Sequence, residues 1–176
     1  MPTLPLTLES LTAGWFDEVL RESGLLRASH VIHIEQELVG EGAGVFGQLA
    51  RIVLTYDSPE PGAPATLIAK MAAAAAENRA IATDFDLYER ELRFYEELAS
   101  ACPVRVPRCF YAARGSGVGE FILLLEDLSS ANGGDQVAGA TLDQARLALS
   151  ACARINAWWW GRAELPDLAW LPSLDA

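Results

Sequence analysis

Three features of this chain have the residue types and spacing to act on a phosphate. The first is Gly40-Glu41-Gly42-Ala43-Gly44-Val45-Phe46-Gly47. Its four glycines, Gly40, Gly42, Gly44 and Gly47, let the backbone approach a ligand closely and aim its N–H groups at an anion. The plainer reading is a hairpin turn with spare glycines. No Gly-Lys-Ser/Thr follows, so this is not a P-loop. A strand-like segment rather than a helix comes next, so it is not a dinucleotide fingerprint either. The second feature is Lys70, closing Leu67-Ile68-Ala69-Lys70. An ammonium in an apolar strand needs a counter-charge or a ligand, unless its stem snorkels from the strand end. Alternation puts it on the face of Ile68, opposite Leu67 and Ala69. The third is Glu91. Leu87, Glu91, Phe94 and Leu98 recur at helical spacing, so Glu91 stands in an apolar stripe, while Glu89, Arg90, Arg93, Glu96 and Glu97 turn towards solvent. A buried carboxylate is paired or protonated; the alternative is a helix-edge glutamate paired with a nearby arginine.

The elements that must position these residues follow from periodicity. Thr12 caps a helix over Ala13–Ser23, with Gly24 past its end and Trp15, Phe16, Val19 and Leu20 on its apolar side. Val31–Val39 alternates as a half-buried strand with Ile32, Ile34 and Leu38 inward. After the glycine turn, Gln48–Tyr56 alternates again with Gln48, Ala50, Ile52, Leu54 and Tyr56 on one face, completing a hairpin. Asp57–Pro64 is a proline-rich loop and Thr66–Met71 a third strand. Ala72–Ala76 suits helix or loop. Phe85, Tyr88, Leu92, Tyr95 and Ala99 mark an amphipathic helix of roughly four turns. Arg108–Ala113 and Phe121–Glu126 are strands around a hairpin containing Gly115, Gly117 and Gly119. Ser129–Gly139 is a polar linker, and Leu142, Ala145, Leu149, Cys152 and Asn156 line a second long helix. The fold class is α+β: a five-stranded antiparallel sheet with one packed helix, then further helix. The boundary divides residues 1–128 from 129–176.

Composition narrows the function. The 176 residues carry a net charge of −11, which argues against nucleic-acid binding. An anionic ligand must then be held by local cations and N–H groups against the global field. Cys102, Cys109 and Cys152 form no C-x-x-C pair, so neither a zinc site nor a disulfide framework is expected, and a reducing cytoplasm is the simpler setting. No apolar run reaches the roughly 18 residues of a membrane span, and no signal peptide is read.

A glycine loop between two strands, a lysine in the third strand and a glutamate in the next helix is the ordered signature of a protein-kinase-like small lobe. On that reading the apolar strand Phe121–Glu126 leads to a hinge whose Glu126 C=O and Leu128 N–H face an adenine edge; a plain buried strand and turn is the alternative. The segments Gln48–Tyr56, Leu67–Lys70, Tyr88–Tyr95 and Leu123–Leu128, with Gly134–Gly139 and Leu165–Pro172, resemble the aminoglycoside phosphotransferase/choline kinase superfamily, its ecdysteroid-kinase-like branch in particular. The resemblance covers nearly the whole chain from about Leu11 onward.

The resemblance implies MgATP-dependent transfer of a phosphoryl group to a hydroxyl on a small molecule. Lys70 would bind phosphate, Glu91 would position Lys70, and Gly40–Gly47 would cover the triphosphate. The family's His-Gly-Asp motif and later metal-binding aspartate do not occur in this sequence, so no catalytic residue and no magnesium ligand is expected in it. Residues 1–128 are then the nucleotide-binding lobe and 129–176 the start of a second lobe. The expected polypeptide is inactive alone, and its tryptophan-rich tail favours self-association. The family often has Leu-His-Ala where this chain has Ile155-Asn156-Ala157, on the core stripe of its helix. A non-catalytic nucleotide-binding or interaction module with the same lobe is the alternative function.

Overall fold

The computed structural model describes residues 2–40, 45–131, 134, 137–161, 168, 170 and 171. The chain divides into two compact units: Met1–Glu96 with Pro107–Asp127, and Glu97–Val106 with Leu128–Ala176.

The first unit is built on five antiparallel strands: β1 (Val31–Leu38), β2 (Gly47–Tyr56), β3 (Thr66–Ala72), β4 (Cys109–Arg114) and β5 (Phe121–Glu126). Their order across the sheet is β1-β2-β3-β5-β4. Alternation gives the sheet two apolar faces. Ala50, Ile52 and Leu54 of β2, Leu67, Ala69 and Met71 of β3, and Ile122 and Leu124 of β5 meet α1 (Ala13–Glu22) through Trp15, Phe16, Val19 and Leu20. Phe121, Leu123 and Leu125 face the other way, onto Tyr88, Leu92 and Ala82 of α2 (Ala76–Asp84) and α3 (Leu87–Arg93), with Ile68 packed alongside. Strand β5 is therefore buried on both faces, which explains its unbroken apolar run.

The ends of α1 are made by local chemistry. Thr12 Oγ1 accepts the Trp15 N–H at 3.2 Å, and Gly24, just past the end, takes φ 74°. The connection to β1 is then tied down by two carboxylates. Asp17 accepts from the Val31 N–H at 2.9 Å and from Arg21 Nε at 3.2 Å. Burial works against its charge, but the bonds from Val31, His30 and Arg21 outweigh that and lower its pKa. Glu60, in the β2–β3 loop, accepts from the N–H groups of Arg27, Ala28 and Ser29.

Three expectations need correction. Strand β1 does not bury Ile32, which is 57% exposed. Its pairing with β2 slips between Val31 and His33, so the inward residues are Val31 and Ile34. Such a bulge breaks simple alternation. The amphipathic helix is not one rod from Phe85. Asp86 sits at φ 53° between α2 and α3, so Phe85 lies before the register of Tyr88 and Leu92 and is 61% exposed. Beyond Arg93 the coil loosens to a π turn (Phe94–Leu98) and then a 3-10 turn (Ala99–Ala101). Of the alanine run, Ala72 closes β3 and Ala76 opens α2.

The third correction concerns the second unit and its helix α4 (Leu142–Trp159). A capping box starts α4: Thr141 Oγ1 accepts the Gln144 N–H, and Gln144 Oε1 accepts the Thr141 N–H. No residue of α4 is buried, and Leu142 and Leu149 are 67% and 70% exposed. The stripe ending at Asn156 is therefore not a core face. Asn156 is exposed and its Nδ2 donates to the Cys152 carbonyl within its own helix. Trp160 is exposed, whereas Trp170 is half-buried and donates its Nε1–H to Glu97 at 3.0 Å. Among the described residues, no helix is long and apolar enough to cross a membrane.

Candidate functional site

Lys70 stands near the end of β3, paired with Leu49 of β2 on one side and Leu123 of β5 on the other. Buried Leu67, Ala69 and Met71 turn to the α1 face, which leaves Ile68 and Lys70 on the face of α3. Tyr88 and Leu92 anchor α3 to that face and bring Glu91, between them on the helix, over the strand. Lys70 Nζ donates to Glu91 Oε1 at 2.6 Å. The two side chains are 26% and 28% exposed, so the pair is shielded yet open on one side. Glu91 is thus paired with a lysine 21 residues away, not with an arginine of its own helix.

An open cleft of about 240 Å³ adjoins this pair, lined by Phe46, Gly47, Leu49, Lys70, Leu87, Tyr88 and Glu91. Gly47 is where the returning strand passes closest to the lysine. A Cβ there would lie 3.3 Å from both Lys70 Cε and the Met71 carbonyl oxygen, so the lysine occupies the space that any larger residue would take. Gly40, two residues past the end of β1, has φ 72°, which a β-carbon disfavours. Gly42 and Gly44 lie outside the described residues.

The remaining residues read from the sequence are placed elsewhere. Glu126 ends β5, where its N–H donates to the Arg108 carbonyl at 2.8 Å and its carboxylate accepts the Arg108 N–H at 3.1 Å. It does not line the cleft. Leu128 belongs to the second unit, and its carbonyl accepts the Ala131 N–H at 2.8 Å.

Tyr88, read from the sequence only as an apolar mark of its helix, also serves the site, and Leu49, Phe46 and Arg51 were not read as part of it. Tyr88 is buried, its hydroxyl accepts the Ala73 N–H at 3.2 Å, and its ring stacks on Phe121 at 4.6 Å. It locks α3 to the end of β3 and so sets the height of Glu91 above Lys70. Its position three residues before Glu91 was the available signal. Leu49 and Phe46 also line the cleft, and the spacing of Gly42, Gly44 and Gly47 as G-x-G-x-x-G, with Leu49 two residues on, pointed to them. Arg51, two residues further along β2, donates Nε–H to Asp127 at 3.0 Å, and Asp127 is only 6% exposed. That bond clips β2 to the chain leaving β5.

Chemically, the site is a cation held in place. An ammonium has three donors, and Glu91 takes one, leaving Lys70 able to donate to a ligand oxygen in the cleft. The neighbouring groups do not compete as nucleophiles. Burial, with the charge of Glu91 beside it, pushes the Tyr95 hydroxyl to about 12. Burial pushes the Cys109 thiol to about 11, so it stays protonated and inert. Among the described residues, no group of three His, Cys, Asp or Glu side chains is placed to hold a metal ion.

A scan of protein-family models finds no match to the chain, and no curated protein matches it.

Proposed function

We propose that this chain is the nucleotide-binding portion of a small-molecule phosphotransferase, with ATP as its ligand and a hydroxyl compound as the acceptor in the complete reaction. The observation that carries this reading is the Lys70–Glu91 pair, 2.6 Å long, bordering a cleft beside Gly47. In kinase-like lobes a lysine on the third strand takes the phosphates and a helix glutamate fixes it. Here the lysine is on the third strand and the glutamate on the helix packed over it. A lysine oriented by a carboxylate meets a polyphosphate without first reorganising, which is the main thing such a protein supplies to phosphoryl transfer.

Lys70 has the role of phosphate ligand and Glu91 that of positioning residue. Leu49 and Ile68, on the same sheet face, supply apolar surface for a base. These residues bind and orient the phosphates; the sequence contains no His-Gly-Asp motif. The uncovered leucines of α4 favour self-association of the isolated polypeptide or docking of a further lobe.

Calorimetric titration with ATP tests the reading. The wild-type chain should bind, and Lys70→Ala should weaken binding by about tenfold or more, the usual loss for a charge-assisted phosphate contact. Equal affinity in the two proteins contradicts it.

A further inference from the structure

A second cavity, of about 480 Å³, lies in the sheet unit where the α1–β1 connection, the β2–β3 loop and the start of β4 meet. Arg27 and Arg108 both line it, with Leu25 and Pro61 as apolar wall. One carboxylate is among its lining residues, that of Glu60, and it is already engaged. Its Oε1 accepts the Arg27 N–H at 2.7 Å, while Oε2 accepts the N–H groups of Ala28 and Ser29 at 3.1 and 2.9 Å and the Ser29 hydroxyl at 2.6 Å. Those bonds, the Ser29 hydroxyl foremost, hold the carboxyl down to about 2. Glu60 keeps its negative charge, but its oxygens are turned to the N–H groups of Arg27, Ala28 and Ser29 and to the Ser29 hydroxyl rather than to a guanidinium, so the two arginines outnumber it in the lining.

The arginines themselves are left with charge to offer. Arg21, Arg51, Arg114 and Arg146 each pair with a carboxylate. Arg27 and Arg108 make no ion pair among the described residues. The Arg108 guanidinium lies over the Phe110 ring, 5.0 Å from its centroid, which orients it without neutralising it. In a chain of net charge −11, two unpaired guanidiniums on one cavity run against the general field. That field is screened beyond about 8 Å at physiological salt, so the local arginines govern what binds here.

We propose that this cavity is an anion site for a small phosphomonoester carrying an apolar group, its phosphate taken by Arg27 and Arg108 and its apolar part laid along Leu25 and Pro61. A guanidinium fork matches phosphate oxygens, and the cavity, open on its solvent side, has room for a small organic phosphate. The site is separate from the Lys70 cleft and shares no lining residue with it.

Phenyl phosphate is the probe, titrated by calorimetry into the full chain, the double variant R27Q/R108Q and Lys70→Ala. Both arginines are exposed, and the Arg27 N–H that holds Glu60 is backbone, so the double variant should fold; the single variants R27Q and R108Q serve if it does not. Saturable binding below about 10 mM is expected, weakened roughly fivefold or more by removing the arginines and unchanged in Lys70→Ala. No saturation in that range, a smaller loss in the arginine variants, or loss in Lys70→Ala would each overturn the proposal.

Discussion

The two units of this molecule use apolar residues in opposite ways. In the sheet unit, Phe16, Leu20, Ile52, Leu67, Leu92 and Leu124 are wholly buried, and strand β5 serves both faces at once. In the other unit, α4 has a well-formed capping box and carries Leu142, Leu147 and Leu149, yet buries none of them. A cap and an apolar stripe make a helix; only a packing partner makes it part of a core. The candidate site follows the same division. Lys70 and Glu91 sit on elements fixed by buried neighbours, and a site needs that rigidity to hold a 2.6 Å contact in one geometry.

The sharpest way to break this comparison is to truncate one leucine in each unit. Leu124→Ala should cost about 2–5 kcal/mol in urea unfolding, because it opens a cavity in a strand buried on both faces. Leu149→Gln should change stability by no more than about 0.5 kcal/mol, since the side chain is already in solvent. The same Leu149 variant should reduce self-association in sedimentation. Equal stability losses would mean that α4 is covered in solution.

Glycines offer a smaller contrast. A Cβ at Gly47 meets Lys70 and the Met71 carbonyl at 3.3 Å, whereas one at Gly134 meets nothing within 4 Å. Gly47→Val should cost about 1–3 kcal/mol by overpacking and weaken ATP binding further by moving Lys70. Gly134→Ala should be silent in both measurements. An unaltered ATP affinity in Gly47→Val would separate the glycine hairpin from the lysine.

The smallest effect is the acid response of the sheet unit. Glu60 has its folded pKa depressed to about 2 from an ordinary value of 4.5. Its contribution is therefore complete above pH 4.5 and lost as pH falls through that value towards 2. Glu60→Gln should lower the melting temperature at pH 7 and flatten its fall across that window. A melting curve with the same acid dependence in both proteins would show that the nest of N–H groups around Glu60 adds nothing.

How much of this was legible beforehand depended on the range of the interaction. Strand β5, the apolar face of α1 and the facing of Lys70 are local periodicities, and the structure places them as the periodicity reads. Glu91 was marked by its place in an apolar stripe, and the choice of Lys70 over a nearby arginine as its partner came from motif order and not from that stripe. The bulge at Ile32 depends on pairing with β2, and the break at Asp86 on how α2 and α3 each meet the sheet; alternation within one segment encodes neither. The Arg51–Asp127 bond spans 76 residues and left no local trace. The exposure of α4 was invisible because a stripe of leucines looks the same whether or not anything covers it.

The central claim is that Lys70, held by Glu91, binds the phosphates of a nucleotide. Titrating ATP, ADP, AMP and adenosine into the wild-type chain and Lys70→Ala tests it most directly. Affinity should fall stepwise as phosphates are removed from the wild-type ligand, and that gradient should collapse in Lys70→Ala while adenosine binds both proteins alike. A gradient of the same steepness in both proteins, or no nucleotide binding by the wild-type chain, would contradict the account.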